Sequence, residues 1–360
     1  MRHLLTDIEM NLLQRNALWI RLCLLLLATC VYSIHSFAST NDPNLINKIA
    51  QIEKRYHVTI GVKAIHIENN KTFSHHGNQK FFMASTVKLP IALTFLHRVD
   101  LKQDSLNRKI PLSVQNSVPG SGHLYHRFER RTQKLSSQQL LQYMLIESDN
   151  SASDTILKTV NGPKMVTKRM EELGFKHIVV NRSILEIMTD TNHVDHAYLD
   201  KPRTVYGWKK LFNATPIYQK ILGWRHFQND NRDTTTPDEM AELLVKLQNN
   251  QALSKDKTKL LLGIMGQCRT GRSRIRALLP PQAKVAHKTG TWGIDEQRTN
   301  NYPGAKNLYR FASDVGIITL PKNKGHIAIA VYVKSQSVSD FPRSRSIALV
   351  SRAIYDNFMK

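Results

Sequence analysis

Three short polar motifs follow one another along the chain and contain the residues that serine acyl transfer requires. The first is Ser-x-x-Lys with Ser85 and Lys88, the second is Ser-Asp-Asn at residues 148–150, and the third is Lys-Thr-Gly at residues 288–290. A serine hydroxyl is a weak nucleophile until a neighbouring base removes its proton. Three residues further along a helix, Lys88 would lie on the same face as Ser85. We therefore predict that Ser85 is acylated, with Lys88 as its base.

The other two motifs supply a second hydroxyl and a second ammonium group. Lys288 would place positive charge beside the first lysine and lower the proton affinity of its amine. Ser148 can pass a proton to a leaving nitrogen, and Asn150 can hold an amide of the substrate. The carbonyl oxygen that becomes negative needs donors aimed at it. We expect these donors to be the backbone N–H groups of the nucleophile and of Thr291.

Each motif is weak when it is taken alone. Ser-x-x-Lys at a helix start is usually a capping serine with a solvated lysine, Ser-Asp-Asn is usually a turn, and Lys-Thr-Gly is usually a strand end. Their fixed order favours catalysis, because the first residues of successive motifs are 63 and 140 positions apart and each motif lies at a predicted element boundary.

With these residues in view, the chain resembles the class A serine beta-lactamase family. The likeness covers residues 43–182 and 230–360, and segments 234–241, 270–276, 285–291 and 314–318 add to the three motifs. The resemblance implies that Ser85 is the acylated nucleophile, Lys88 the proton acceptor and Ser148 the proton relay. The residues that it assigns to substrate binding are Asn150, Arg274, Lys288, Thr289, Gly290 and Thr291.

One segment departs from the family pattern. The family carries a glutamate shortly after an arginine, and this glutamate activates the water that releases the product. Reading forward from the second motif places the Asn181-Arg182 pair at the family's Asp-Arg pair, and Ile184 then occupies the glutamate position. A two-residue insertion would bring Glu186 into place, with Asp190 where an asparagine commonly positions the water. We predict that Glu186 is this base; the alternative is a solvated loop carboxylate.

Three functions are therefore open from the sequence. The first is a hydrolase that opens beta-lactam rings through an acyl-enzyme. The second is a peptidoglycan D,D-peptidase or transpeptidase acting on a D-alanyl peptide, which Ile184 and an enlarged cleft would favour. The third is a sensor that is acylated and never released. No cofactor is implied. His193 and His196 lie three residues apart, but without a third ligand at a suitable spacing we predict no metal.

The elements that must position these residues indicate an α/β (α+β) fold. Strand patterns lie near both ends of the chain around a helical middle, which predicts an antiparallel sheet built from both chain termini, flanked by helices, with an all-helical subdomain. We assign residues 39–84 and 265–360 to the sheet subdomain and residues 85–264 to the helical one. Expected strands are 58–67, 72–75, 311–319 and 327–333.

Helical patterns are predicted at residues 43–56, 85–101, 136–174 without a break, 237 onward and 345–358. Between Glu186 and Thr234 the chain carries an insert, residues 187–233, where the family has a short loop. The insert is rich in aromatic residues. We expect it to pack as a small helical subdomain against the core rather than bind a ligand, and it could also line the active-site rim. The extension at residues 292–308 should lie beside the same cleft.

Residues 1–38 read as a signal peptide. Arg15 and Arg21 precede an apolar stretch that is too short to span a bilayer, and small residues before position 39 predict cleavage after Ala38. Lipoprotein anchoring at Cys30 is the less favoured alternative. We therefore expect an exported, periplasmic protein in which Cys268 is the remaining cysteine, so that no internal disulfide can form.

The net charge of the chain indicates which classes of macromolecule it could associate with. Residues 1–38 hold three of the 51 basic and two of the 28 acidic residues, so the remainder has a net charge of +22. Such a charge favours association with anionic cell-envelope polymers over long range. We do not predict nucleic-acid binding, because the chain is expected to be exported and carries no nucleic-acid motif. A monomer is expected.

Overall fold

A computed structural model of the chain describes residues 42–294, 303–305 and 307–360, which belong to one compact unit. The predicted signal segment, with Ala38 and Cys30, lies outside the described residues. None of the helices in the described ranges is both long and apolar enough to cross a membrane.

The strands are β1 (Thr59–His66), β2 (Thr72–His75), β3 (Phe81–Phe82), β4 (Lys109–Leu112), β5 (Gln133–Ser136), β6 (Thr234–Thr235), β7 (Lys284–Trp292), β8 (Arg310–Thr319) and β9 (His326–Ser335). The helices are α1 (Pro43–Tyr56), α2 (Lys88–Asp100), α3 (Tyr125–Phe128), α4 (Ser137–Ile146), α5 (Asn150–Thr159), α6 (Pro163–Glu172), α7 (Ile184–Thr191), α8 (Val205–Ala214), α9 (Ile217–Phe227), α10 (Pro237–Gln248), α11 (Lys255–Met265) and α12 (Phe341–Phe358).

The main sheet is antiparallel and has the strand order β2-β1-β9-β8-β7. Successive side chains of a strand point to opposite faces, so one strand can serve two cores. In β8, Ile318 packs with the apolar faces of α1 and α12, whereas Ile317 packs with helices of the middle of the chain, including α10. The prediction of an antiparallel sheet formed from both ends of the chain and flanked by helices is confirmed.

Helix starts follow their capping residues. The side chain of Asp42 accepts from the backbone N–H of Asn44 at 2.9 Å and begins α1, and Thr236 caps α10 with a proline at the first helical position. A proline there loses no hydrogen bond, because the first N–H groups of a helix have no partner within it. Both helix starts agree with the sequence patterns.

The predicted unbroken helix over residues 136–174 is wrong. The structure has three helices there, α4, α5 and α6, because the backbone turns into the left-handed region at Ser148 (φ 58°) and Asn161 (φ 66°). Oδ1 of Asp149 then accepts from the backbone N–H of Ala152 at 2.8 Å and caps the start of α5. Because of this break, Ser148 lies between the end of α4 and the start of α5 and is not part of a helix.

The insert, residues 187–233, contains the end of α7 and the whole of α8 and α9. Its aromatic residues pack on the sheet edge: the ring centroids of Phe227 and Phe82 are 4.7 Å apart, and those of Trp224 and Phe227 are 5.2 Å apart. Phe311 of β8 joins the same apolar cluster. The insert is thereby held beside the segment that leads into Ser85.

Candidate active site

Ser85 lies in a single 3-10 turn, Ala84–Val87, that runs directly into α2. The turn begins at Ala84, whose backbone has a φ of 46°. Thr86 fastens the turn, because its hydroxyl donates to the Met83 carbonyl at 2.7 Å and lies 3.2 Å from the Tyr332 hydroxyl of β9. Ser85 itself is half-buried and lines a cleft of about 360 Å³.

Lys88 is fully buried one turn after the nucleophile. Its Nζ donates to the backbone carbonyl of Ser148 at 2.5 Å and to Asn150 Oδ1 at 2.8 Å. The same Nζ lies 3.2 Å from Ser148 Oγ. Lys88 is therefore held by the break between α4 and α5, the segment that carries the second motif.

Lys288 reaches the same hydroxyl from the sheet. It is fully buried in β7, and its Nζ donates to Ser148 Oγ at 3.0 Å and to the Thr289 carbonyl at 2.8 Å. Ser148 Oγ thus lies between two lysine amines that come from different parts of the chain. Such a hydroxyl can receive a proton from one neighbour and give its own to another.

Burial sets the charge states of the two lysines. It lowers the pKa of Lys88 well below the usual range, and the charge of Lys288 lowers it further, while Asp149 and Asp154 act in the opposite direction. Burial also lowers the pKa of Lys288, to about 8, with Asp314 opposing this shift and Arg274 adding to it. Lys288 is therefore mostly protonated near neutral pH, and the lowered pKa of Lys88 makes loss of its proton easier.

The third motif brings strand β7 close to the segment that precedes Ser85. A Cβ on Gly290 would lie 2.4 Å from Ser313 Oγ and 2.7 Å from the Met83 carbonyl oxygen, so β7 can lie against the segment before Ser85 only with glycine there. Thr291, the next residue, lines the cleft. Gly290 therefore sets the distance between the strand and the nucleophile.

Other predicted binding residues lie around this strand. Arg274 is buried and braces it, since Nη1 donates to the Gly290 carbonyl at 2.7 Å and Nη2 donates to Thr291 Oγ1 at 2.6 Å. Thr289 is also buried, with its hydroxyl 2.6 Å from that of Thr270. Asn150 lines the cleft together with Thr291. Arg274 adds positive charge beneath the strand and is not among the residues that line the described cleft.

The structure does not bring Glu186 to Ser85. Glu186 lies in the first turn of α7, where its Oε2 accepts from the N–H of Ser183 at 2.6 Å in a capping box. With Asp154 it lines a separate cavity of about 990 Å³. Met188 and Thr191 are the α7 residues that line the Ser85 cleft. Met188 is two positions after Glu186, which places the two side chains about 200° apart around the helix axis. Glu186 therefore lies on the face of α7 that is turned away from the Ser85 cleft, and the predicted two-residue insertion does not bring it into place.

Asp190 follows the same face of α7 and is engaged elsewhere. Its Oδ2 lies 2.5 Å from Arg182 Nη1 and 3.2 Å from Arg232 Nη2, and its Oδ1 lies 2.6 Å from His196 Nε2. Arg182 is buried and also pairs with Asp233 at 2.6 Å. These pairs hold the insert against the rest of the chain and occupy the carboxylate that was expected to position water.

Sequence reasoning did not identify the residues of the insert that form the cleft wall. They are Met188, Thr191, Asn192, Lys209, Phe212, Asn213, Lys220 and Trp224. Trp292, Gly293 and Ile294 of the predicted extension also line the cleft, while residues 295–302 and 306 lie outside the described residues.

Asp154 was missed as well. It is one helical turn after Asn150, and both its oxygens accept backbone N–H groups at the start of α7, from Ile184 at 2.8 Å and from Leu185 at 3.0 Å. Burial raises the pKa of Asp154 to about 6. An acidic residue on the inward face of α5 was the signal that could have found it.

Comparison with known proteins agrees with this geometry. The sequence profile of the beta-lactamase enzyme family matches residues 44–358. The chain belongs to this family. Beta-lactamase VEB-1 of Pseudomonas aeruginosa is 28% identical over 342 residues, which cover 94% of this chain and 98% of the relative. Extended-spectrum beta-lactamase PER-1 of the same organism is 27% identical over 330 residues, covering 91% and 92%.

Solved structures show the same architecture. The crystal structure of a beta-lactamase from Chitinophaga pinensis superposes with a TM-score of 0.69 at 25% identity, over 87% of this chain and 99% of that one. An ancestral class A beta-lactamase gives a TM-score of 0.68 at 24% identity, over 87% and 99%. The predicted resemblance to class A beta-lactamases is confirmed, and family membership favours a beta-lactam hydrolase over the peptidase and the sensor.

Proposed function

We propose that this beta-lactamase-family protein hydrolyses beta-lactams through an ester on Ser85. The observation that carries the proposal is the position of Ser148 Oγ, which lies 3.2 Å from Lys88 Nζ and 3.0 Å from Lys288 Nζ, beside the cleft that Ser85 lines. An ordered path for one proton from the nucleophile to a leaving nitrogen is what ring opening requires.

In the acylation step, the neutral amine of Lys88 accepts the Ser85 proton while Oγ attacks the lactam carbonyl carbon. The carbonyl oxygen becomes negative and is stabilised by the N–H groups of Ser85 and Thr291. The C–N bond then breaks as Ser148 gives its proton to the nitrogen. Lys88 replaces that proton on Ser148 and returns to its neutral form.

Substrate binding requires a protonated lysine, whereas the acylation step requires a neutral one. Lys288, in its protonated form, provides positive charge for the substrate carboxylate, together with Thr289, Gly290 and Thr291 of the same strand. Asn150 Oδ1 accepts from Lys88, and Nδ2 donates one hydrogen to the Pro119 carbonyl at 2.8 Å. A primary amide has a second hydrogen on that nitrogen, which can hold an amide oxygen of the substrate.

The compartment is a further part of the proposal. Residues 1–38 would direct export to the periplasm, and the net charge of +22 on the remainder would hold the protein near anionic envelope polymers. Cell fractionation of the full chain tests export. Recovery in the cytoplasmic fraction with residues 1–38 intact would contradict it.

Steady-state hydrolysis of a chromogenic cephalosporin tests the function. The parent should turn over many equivalents, and S85A should lose turnover by several orders of magnitude. The matched control is S105A, an exposed serine in a loop, which should retain the parent rate. Release of D-alanine from a peptide without lactam turnover would favour the D,D-peptidase, and a stable one-to-one adduct would favour the sensor.

A further inference from the structure

We propose that Lys88, rather than a carboxylate, also activates the water that hydrolyses the Ser85 ester. This inference rests on the proposed function and adds the second half of its reaction. It makes one amine the proton acceptor in both steps.

The first observation is the chemistry of the cleft wall. Among the described residues that line the Ser85 cleft, there is neither aspartate nor glutamate. Helix α7 and the residue after it contribute Met188, Thr191 and Asn192 to this wall. Ile184, at the family's glutamate position, is buried and has no basic side-chain atom. The side of the cleft where a carboxylate base was expected therefore offers none.

The second observation is that the nearby carboxylates are already engaged. Glu186 accepts from the Ser183 N–H, and Asp190 pairs with Arg182 and Arg232. Asp154 accepts two N–H groups from the start of α7. We assign Asp154 a positioning role, because it fixes the helix start against α5.

The third observation is the set of groups around Lys88. Lys288 of β7 faces it across Ser148, and Asp149 and Asp154 are the acidic groups whose charges act on it. Three oxygens lie within hydrogen-bonding distance of Lys88 Nζ: the carbonyl oxygen and Oγ of Ser148, and Oδ1 of Asn150. A neutral amine has only two hydrogens to donate, so when these go to the carbonyl oxygen and to Oδ1 its lone pair is left on the side of Ser148 Oγ for an incoming proton.

The proton balance of acylation leaves Lys88 ready for this role. Lys88 takes the proton of Ser85 and passes it through Ser148 to the lactam nitrogen, so the amine is neutral in the acyl-enzyme. A water oxygen then attacks the ester carbonyl carbon while Lys88 accepts one water proton. When the ester C–O bond breaks, Lys88 returns this proton to Ser85 Oγ, and the product leaves as the ring-opened acid.

The test separates ester hydrolysis from ester formation. Acyl-enzyme made with excess cephalosporin is separated from free substrate, and loss of the adduct is followed by intact-mass spectrometry. E186Q should lose the adduct within about twofold of the parent rate, as should the control E171Q, an exposed helical glutamate. Asp295 and Glu296 follow Ile294 outside the described residues, so D295N/E296Q is measured too and should also match the parent.

K88A tests directly whether Lys88 is the base for ester hydrolysis. Its adduct, formed slowly at high substrate concentration, should hydrolyse about 100-fold or more slowly than that of the parent, which is the usual contribution of a general base. K88R should be equally slow, because a guanidinium does not give up its proton. The control K158A replaces an exposed lysine of α5 and should match the parent.

Several results would overturn the inference. A tenfold or greater slowing of adduct loss in E186Q or in D295N/E296Q, with normal adduct formation, would identify a carboxylate base. Adduct loss in K88A at the parent rate would also overturn the inference. Absence of any adduct on the parent, with no turnover, would instead contradict the proposed function itself. Far-ultraviolet circular dichroism of each variant shows whether it is folded.

Discussion

Two groups of residues beside the Ser85 cleft, which we call the catalytic wall and the opposite wall, differ in how their polar groups are used. On one side, Lys88, Ser148 and Lys288 are buried and turned toward one another, with Ser148 Oγ bonded between the two amines. On the other side, α7 presents Met188 to the cleft and turns Glu186 and Asp190 away into a helix cap and an ion-pair network. The first group has the contacts that the proposed proton transfers need, and the second holds the insert in place.

The difference places the proposed proton transfers and the attachment of the insert in separate parts of the fold. Buried titratable groups are costly unless they are bonded, so a buried group of lysines and hydroxyls requires a specific local structure. Here that structure comes from the turn at Ser85, the break at Ser148 and the close approach of Gly290. Changes to the two walls should therefore have different consequences.

The largest expected effect is on the catalytic wall. S148A removes the hydroxyl between the two lysines, so kcat/KM for a cephalosporin should fall by about 100-fold to 10,000-fold. The matched control is S121A, a serine that lines the same cleft, and it should stay within about threefold of the parent. Equal losses in both variants would show that Ser148 has no special role.

On the opposite wall, the largest effect should be on stability. R182M removes a buried guanidinium that pairs with Asp190 at 2.5 Å and with Asp233, itself buried, at 2.6 Å. Leaving the buried carboxylate of Asp233 without this partner should lower the free energy of unfolding by about 3–5 kcal/mol. Urea denaturation measures this change. The control R98M, a half-buried arginine of α2, should cost less.

The pH dependence of turnover sharpens the comparison further. Burial lowers the pKa of Lys288 to about 8, and the proposed mechanism uses its protonated form to bind the substrate carboxylate. Activity that needs the protonated form is lost as pH rises through this pKa, so kcat/KM should fall about tenfold per pH unit above it. At low pH the rate should fall again as Lys88 gains a proton. A rate that stays constant from pH 7 to 10 would contradict the assigned charge state of Lys288.

A smaller effect is expected from two glycines. G290A would place its Cβ 2.4 Å from Ser313 Oγ, so it should lower the free energy of unfolding by about 1–3 kcal/mol and reduce activity. G263A lies in helix α11 with nothing within 4 Å of the added Cβ, so it should raise stability by about 0.5–1 kcal/mol. Thermal unfolding compares the two. Similar behaviour of both variants would show that the close approach at Gly290 has no energetic role.

Local patterns made much of the molecule predictable. Helix α1 follows from the capping Asp42 and regular apolar spacing, and β2 was predicted with the bounds that the structure has. The convergence of the lysines followed from three motifs whose chemistry is complementary. These features depend on residue types within one turn or one strand.

The features that could not be predicted depend on distant contacts or on the backbone. A serine gives no local signal for the left-handed φ of 58° that breaks the helix at Ser148. The direction of Glu186 depends on how many residues separate it from Arg182 around α7, and one sequence does not fix that register. The cleft contacts of Lys209 and Phe212 arise only because the aromatic cluster docks the insert on β8.

The central claim is that Ser85 carries the acyl group between two proton-transfer steps. The most direct measurement is peptide mapping by mass spectrometry of protein quenched during cephalosporin turnover. The account predicts one added substrate mass on the peptide that contains residue 85, rising before steady state and absent in S85A. Sustained hydrolysis by S85A, or an adduct that maps to another residue, would contradict it.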